Sequence, residues 1–124
     1  MPARSGGSPA PTPPLRQSWY AGSDVVGHSI TGSVATAIVA AVGRWRGSGS
    51  VAAIVDPLGG AAGRPAADAT TFPWRDALAD IQWYVGLGST GKANLRRAAN
   101  WLSGCHRSIG STSVGGYINI PGAE

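Results

Sequence analysis

A chain of 124 residues with six acids, ten Lys and Arg and a formal net charge of +4 has room for one domain at most. Its 19 glycines and 9 prolines make a low-charge chain rich in bends, and no basic block interleaves with aromatics, which argues against nucleic acid as a partner. The single cysteine, Cys105, excludes an internal disulfide and a thiolate metal cluster, and the longest apolar run, Val34 to Val42, is too short to span a bilayer.

Residues 1–17, MPARSGGSPAPTPPLRQ, have almost nothing to bury, so a disordered or polyproline-like tail is expected ahead of a folded region over 18–124. The tail has arginines but no apolar core after them, so it is no secretory signal and a cytoplasmic protein is expected. Residues 18–31 read as a loop anchored by Trp19 and Tyr20. His28 is a loop histidine there, with Asp24 its one nearby acid.

Val34, Ile38, Val42 and Trp45 recur at helical steps, which predicts a packing helix over 33–45. Ser33 is the expected N-cap, with Arg44 and Arg46 beside the negative dipole end. Val51 to Val55, VAAIV, predicts a short strand buried on both faces. Gly59, Gly60 and Gly63 follow Asp56-Pro57 and read either as a turn or as backbone that a ligand approaches closely.

The chain is organised around residues 70–85, TTFPWRDALADIQWYV. Pro73 pushes Phe72 out of the helical region, so the run is entered through a turn. From Asp80 to Val85 the alternation puts Ile81, Trp83 and Val85 on one side of a strand, with Gln82 and Tyr84 on the other. An amide opposite an apolar stripe is either solvated or aimed into a site, and Gln82 is therefore a candidate site residue.

Gly86 to Lys92, GLGSTGK, fits G-x-G-x-x-G and most of a phosphate-binding loop, between an expected strand and an expected helix. Ala93 stands where a magnesium-holding hydroxyl belongs, and no acid occurs between Asp80 and Glu124 to meet a ribose. A small nucleotide-binding protein is thus one reading of this loop, and a plain strand-to-helix connection is the other. A second helix is predicted over 92–107, burying Leu95, Ala98, Ala99, Leu102, Cys105, His106 and Ile109. Asn94, Arg96, Arg97, Asn100 and Arg107 fall on its other side, Trp101 at its margin, and Cys105 is a small buried hydrophobe. A last short strand is expected over 116–120. The order helix, strand, strand, helix, strand predicts an α+β fold: a partial antiparallel sheet with two packing helices.

Three blocks, VDPLGGAAGR, DATTFPWRDALADIQW and GGYINIP, resemble in order and spacing the C-terminal region of berberine-bridge-enzyme-like FAD-linked oxidases. The resemblance implies the substrate-platform portion of a flavoprotein that oxidises a small organic molecule, with hydride passing to FAD and electrons to oxygen. It places Gln82 at a sheet position facing substrate beside the flavin. Asn119 and Tyr117 match the Asn and first Tyr of the segment that returns to the cofactor. Two positions depart: Ile120 stands where a tyrosine, a candidate base, is common, and Trp74 where the family has His. Nothing resembling an FAD domain precedes Ser18, so the resemblance implies a fragment without turnover of its own, a non-catalytic interaction remnant, or a chain that docks on a separate FAD-binding domain or subunit.

Overall fold

The computed structural model describes residues 16–117. The expected disordered tail, the strand residues from Ile118 onward and Asn119 lie outside the described residues. Within them the order is β1 (Trp19–Val26), α1 (Gly32–Gly43), β2 (Gly49–Pro57), β3 (Ala79–Leu87), α2 (Lys92–Ile109) and β4 (Ser113–Gly115). Short 3-10 turns occupy Gly60–Gly63 and Gly110–Thr112. The four strands form one antiparallel sheet in the order β2-β3-β1-β4. β1 and β2 therefore run parallel to each other with β3 inserted between them, the split β-α-β-β-α-β arrangement of ferredoxin-like folds. The α+β class and the antiparallel sheet with two helices are as expected.

The alternation over β3 determines which face carries the helices. Ile81, Trp83 and Val85 are fully buried and join Ala98, Trp101, Leu102, Cys105 and Ile109 of α2 in the core. Register carries the same face across β1 through Tyr20, Gly22, Asp24 and Val26. Gly22 leaves space there for Leu102 and His106. The rings of Trp83, Trp101 and Trp45 meet edge to face at 6.2 and 6.1 Å, and Trp101 Nε1 donates to the Ala41 carbonyl at 2.8 Å, tying α2 to α1. Trp101 is thus a core residue; its indole lies over β3 instead of at the helix margin.

Other expectations are corrected. Residues 19–26 form a central strand, not a loop: Gly22, Ser23 and Asp24 interrupt the apolar pattern, yet ladders on both sides and hydrogen bonds to Asp24 hold them in the sheet. β2 is an edge strand paired only with β3 and is mostly exposed, so its apolar run does not mark burial on both faces. The N-cap of α1 is Thr31, whose Oγ1 accepts from Val34 N–H at 3.3 Å, while Ser33 Oγ bonds Thr31 Oγ1 instead. Arg44 is its C-cap, not a residue of the last turn.

In α2 the expected stripe holds at Ala98, Leu102, Cys105 and Ile109 and differs at its start. Asn94 is buried and Leu95 exposed, because the Asn94 amide bridges Ser48 N–H and C=O and the Ser89 carbonyl at 2.8, 3.0 and 2.8 Å. Those bonds clamp the first turn of α2, whose N-cap Gly91 has no side chain, onto the connector before β2. Among the described residues the last strand is β4 over Ser113–Gly115, on the far side of β1; of the strand expected over 116–120 only Gly116 and Tyr117 are described, and neither is in a strand.

Candidate functional site

Both helices pack against one face of the sheet. The other face carries Trp19, Ala21, Ser23 and Val25 of β1, Asp80, Gln82 and Tyr84 of β3, and Ser50, Ala52, Ile54 and Asp56 of β2. No described helix covers it. Gln82 sits half-buried in the middle row, between Ser23 on one side and Ile54 on the other. The period-2 reading that singled out Gln82 thus places it on the open face. Trp19 stacks on Tyr84 with centroids 6.3 Å apart and flanks that row.

Tyr117 reaches the same face from the β4 side. Its N–H donates to Ser23 Oγ at 2.7 Å, and Ser23 Oγ faces the Tyr117 carbonyl at 3.4 Å. Its ring meets Phe72 edge to face at 5.8 Å. Ser23 is therefore the spacer that sets Tyr117 beside the row of Gln82, and the structure brings those two candidate residues together. Asn119 lies outside the described residues.

The loop over 58–78 walls one end of this face. It is closed at its base by Leu58 N–H to Leu78 O and by Leu78 N–H to Val26 O, both 2.8 Å. Arg75 organises its interior: one Nη donates to Ala62 O at 3.0 Å, the other binds Thr70 Oγ1, and the guanidinium stands 5.6 Å over the Phe72 ring. Arg75 and Asp76, adjacent and opposite in charge, form no ion pair with each other among the described residues. Trp74 packs over Gly115, where any side chain would run into the indole, and so helps bury Val25 beneath it. Gly60, at φ +56°, turns the chain within the loop. Beyond the end of β1, the Pro73–Ala77 turn faces Gly27 and Val114 across a cavity of about 260 Å³.

Asp80 is the residue that sequence reasoning missed on this face. It pairs with Val25 on one side and Asp56 on the other, is 8 % exposed, and its Oδ1 has no hydrogen-bond partner among the described residues. Burial first, then the neighbouring Asp56 and Asp24 carboxylates, raise its pKa above the ordinary 3.8. The signal was present: Asp80, Gln82 and Tyr84 alternate on one side of the strand.

The opposite face hides a second polar group. Asp24 is buried, and Trp83 Nε1 donates to its Oδ2 at 2.7 Å while Ser113 Oγ donates to Oδ1 at 2.6 Å. His106 Nδ1 lies 2.6 Å from the same Oδ2. A Ser-His-Asp trio arises from these residues, but the serine binds the aspartate and not the imidazole. The nucleophile–base hydrogen bond that acyl-transfer chemistry needs is missing, so the group is a structural hub. His28 is exposed, and no cluster of metal-ligating side chains occurs among the described residues. No helix among them is long and apolar enough to cross a membrane.

The glycine loop connects β3 to α2 and lies beside an open cavity of about 650 Å³. A phosphate cradle needs free backbone N–H groups. Here Leu87 donates to Ser18 O at 2.9 Å, Gly88 to Ser48 O at 3.1 Å and Gly91 to Ser89 Oγ at 3.2 Å. Lys92 does not line the cavity. The geometry favours the plain connection.

Over 67 residues, 54% of the chain, the sequence is 37% identical to the uncharacterized FAD-linked oxidoreductase YgaK of Bacillus subtilis (strain 168). The chain is similar to an FAD-linked oxidoreductase. The match spans only 14% of that protein's length. No protein-family model matches the chain, and no solved structure matches it.

Proposed function

We propose that this chain is the substrate-platform portion of an FAD-dependent oxidoreductase of the berberine-bridge-enzyme-like kind. The observation that carries the reading is the helix-free sheet face with Asp80, Gln82 and Tyr84 in one column, in a chain similar to an FAD-linked oxidoreductase. A separate FAD-binding domain or subunit would face that surface, with a small organic substrate between.

The residues on the face fit a flat, polar-edged ring. A pleated surface edged by the Trp19–Tyr84 stack offers area for stacking, and the half-buried Gln82 amide offers both a donor and an acceptor. When bound, the flavin supplies the hydride acceptor and passes electrons to oxygen. Gln82 can donate and accept at once and so orients a substrate hydroxyl or carbonyl. Asp80, in the same column and with its carboxyl pKa raised by burial, is a candidate to take up or release a proton, a role that Ile120 cannot fill. Tyr117 lies beside that row through its bond to Ser23, and by resemblance Tyr117 and Asn119 belong to the segment that returns to the cofactor.

The test is a titration of the 15N-labelled chain with FAD to millimolar concentration, followed by amide chemical shifts. The expected shifts cluster at Ser23, Asp80, Gln82 and Tyr84 and shrink in Gln82→Ala. A folded chain with no shifts on that face, or with shifts confined to α1 and α2, would overturn the reading.

A further inference from the structure

The helix layer carries a second feature that the open sheet face does not explain. Charge is segregated along the chain: residues 32–48 and 92–112 contain Arg44, Arg46, Lys92, Arg96, Arg97 and Arg107 and no acid. The described acids, Asp24, Asp56, Asp68, Asp76 and Asp80, all lie in strands β1 to β3 or in the 58–78 loop. Where the end of α1 crosses α2, four of these arginines line one groove of about 380 Å³, with Trp45, Asn100, Trp101 and Gly104 completing its wall and floor.

We infer that this groove, built by Arg44, Arg46, Arg97 and Arg107, binds a small polyvalent oxyanion: a pyrophosphate or a polycarboxylate. Arg97, Gly104 and Arg107 follow one another along a single stripe of α2, and Arg44 and Arg46 flank Trp45 just past α1. Arg46 Nη1 donates to the Gly43 and Trp45 carbonyls at 2.7 Å each, which offsets the negative end of α1 and holds that guanidinium in place. Arg44, Arg97 and Arg107 have no carboxylate partner among the described residues, so three forked cations converge with nothing to neutralise them. Such forks match oxyanions in pairs, and a groove lined by one sign of charge concentrates the opposite one.

Two further observations point to a ligand. The wall is rigid, since Trp45 Nε1 donates to Gly49 O at 3.2 Å and Trp101 Nε1 to Ala41 O at 2.8 Å. The floor is open at Gly104, a glycine in the interior of an 18-residue helix. A Cβ there would meet nothing nearer than Arg107 Nη2 at 3.9 Å, so packing within the chain does not require glycine. Glycine at such a position weakens a helix relative to alanine, and what it provides here is room beneath the arginines.

Calorimetric titration of the full chain at fixed ionic strength tests this, with pyrophosphate, citrate and acetate as the probes. Pyrophosphate or citrate is expected to bind at least tenfold more tightly than acetate, and which of the two binds more tightly assigns the ligand's class. Arg97→Gln combined with Arg107→Gln should weaken that binding at least tenfold. Gly104→Leu, which removes no charge and favours the helix, should weaken it as well. Arg96→Gln, on α2 but outside the groove, should leave it unchanged. Equal loss in Arg96→Gln, or binding that vanishes once ionic strength is matched, would overturn the site, as would preference for duplex DNA over both ions. Because the groove is in the helix layer, this outcome is independent of whether flavin meets the open sheet face.

Discussion

Asp24 and His106 meet at 2.6 Å although 82 residues separate them, joining the central strand β1 to the last turn of α2. A carboxylate only accepts, so His106 Nδ1 carries the hydrogen of this contact, and Trp83 and Ser113 bring the other two. One buried side chain thereby links β1, β3, α2 and β4.

Asp24→Asn should destabilise the fold by about 3 kcal/mol, because an amide has one acceptor oxygen where three donors converge and its own N–H₂ faces a donor. Urea unfolding followed by tryptophan fluorescence measures this. A loss within experimental error would show that the hub adds no stability.

Asp80 should act in the opposite direction. Its folded-state pKa lies above the ordinary 3.8, so the folded chain holds the proton more tightly than the unfolded one. Stability is therefore lost as pH rises from about 3.8 through the folded value, and the full penalty persists above it. Asp80→Asn is expected to stabilise the protein more at pH 8 than near pH 4. Unfolding midpoints at the two pH values decide this, and equal gains at both would remove ionisation as the cause.

Cys105 is 1 % exposed, and burial, partly offset by Arg44, pushes its thiol up to about 12. A thiol-exchange reagent at pH 8 should leave the native chain unmodified and label it at the rate of unfolding. Fast labelling without denaturant would place Cys105 at the surface.

Trp101→Phe keeps most of the ring volume but removes the 2.8 Å bond to the Ala41 carbonyl, which then keeps only the longer one from Arg44 N–H at 3.2 Å. A loss of about 1 kcal/mol is expected by thermal or urea unfolding. A neutral variant would assign the α1–α2 contact to packing alone.

β3 was legible because its alternation is clean from Ala79 to Val85, and Gln82 was legible with it. β1 was not, because Gly22, Ser23 and Asp24 read as a turn until their partners are known, and these are supplied by β3 and β4. Asn94 and Leu95 exchanged their expected places for the same reason: Ser48, 46 residues away, decides which of them is buried. Asp80 was overlooked because an acid at a strand end reads as solvated, and its isolation depends on Val25 and Asp56 beside it. Propensity and period report local preference, whereas each of these outcomes depends on a group far away in the chain.

The insertion of β3 between β1 and β2 also sets an order of assembly. β2 and β3 are joined through one loop, and α2 follows β3 directly, so these pieces can collapse together early. β1 leaves the ribosome first yet finds no neighbour until β3 is complete, as the 59-residue separation of Asp24 and Trp83 records. Pulsed hydrogen exchange should find the β1–β3 amides protected after those of β2–β3. Of these strands the one made first waits longest for a partner, and until then its apolar residues are open to any other strand in reach.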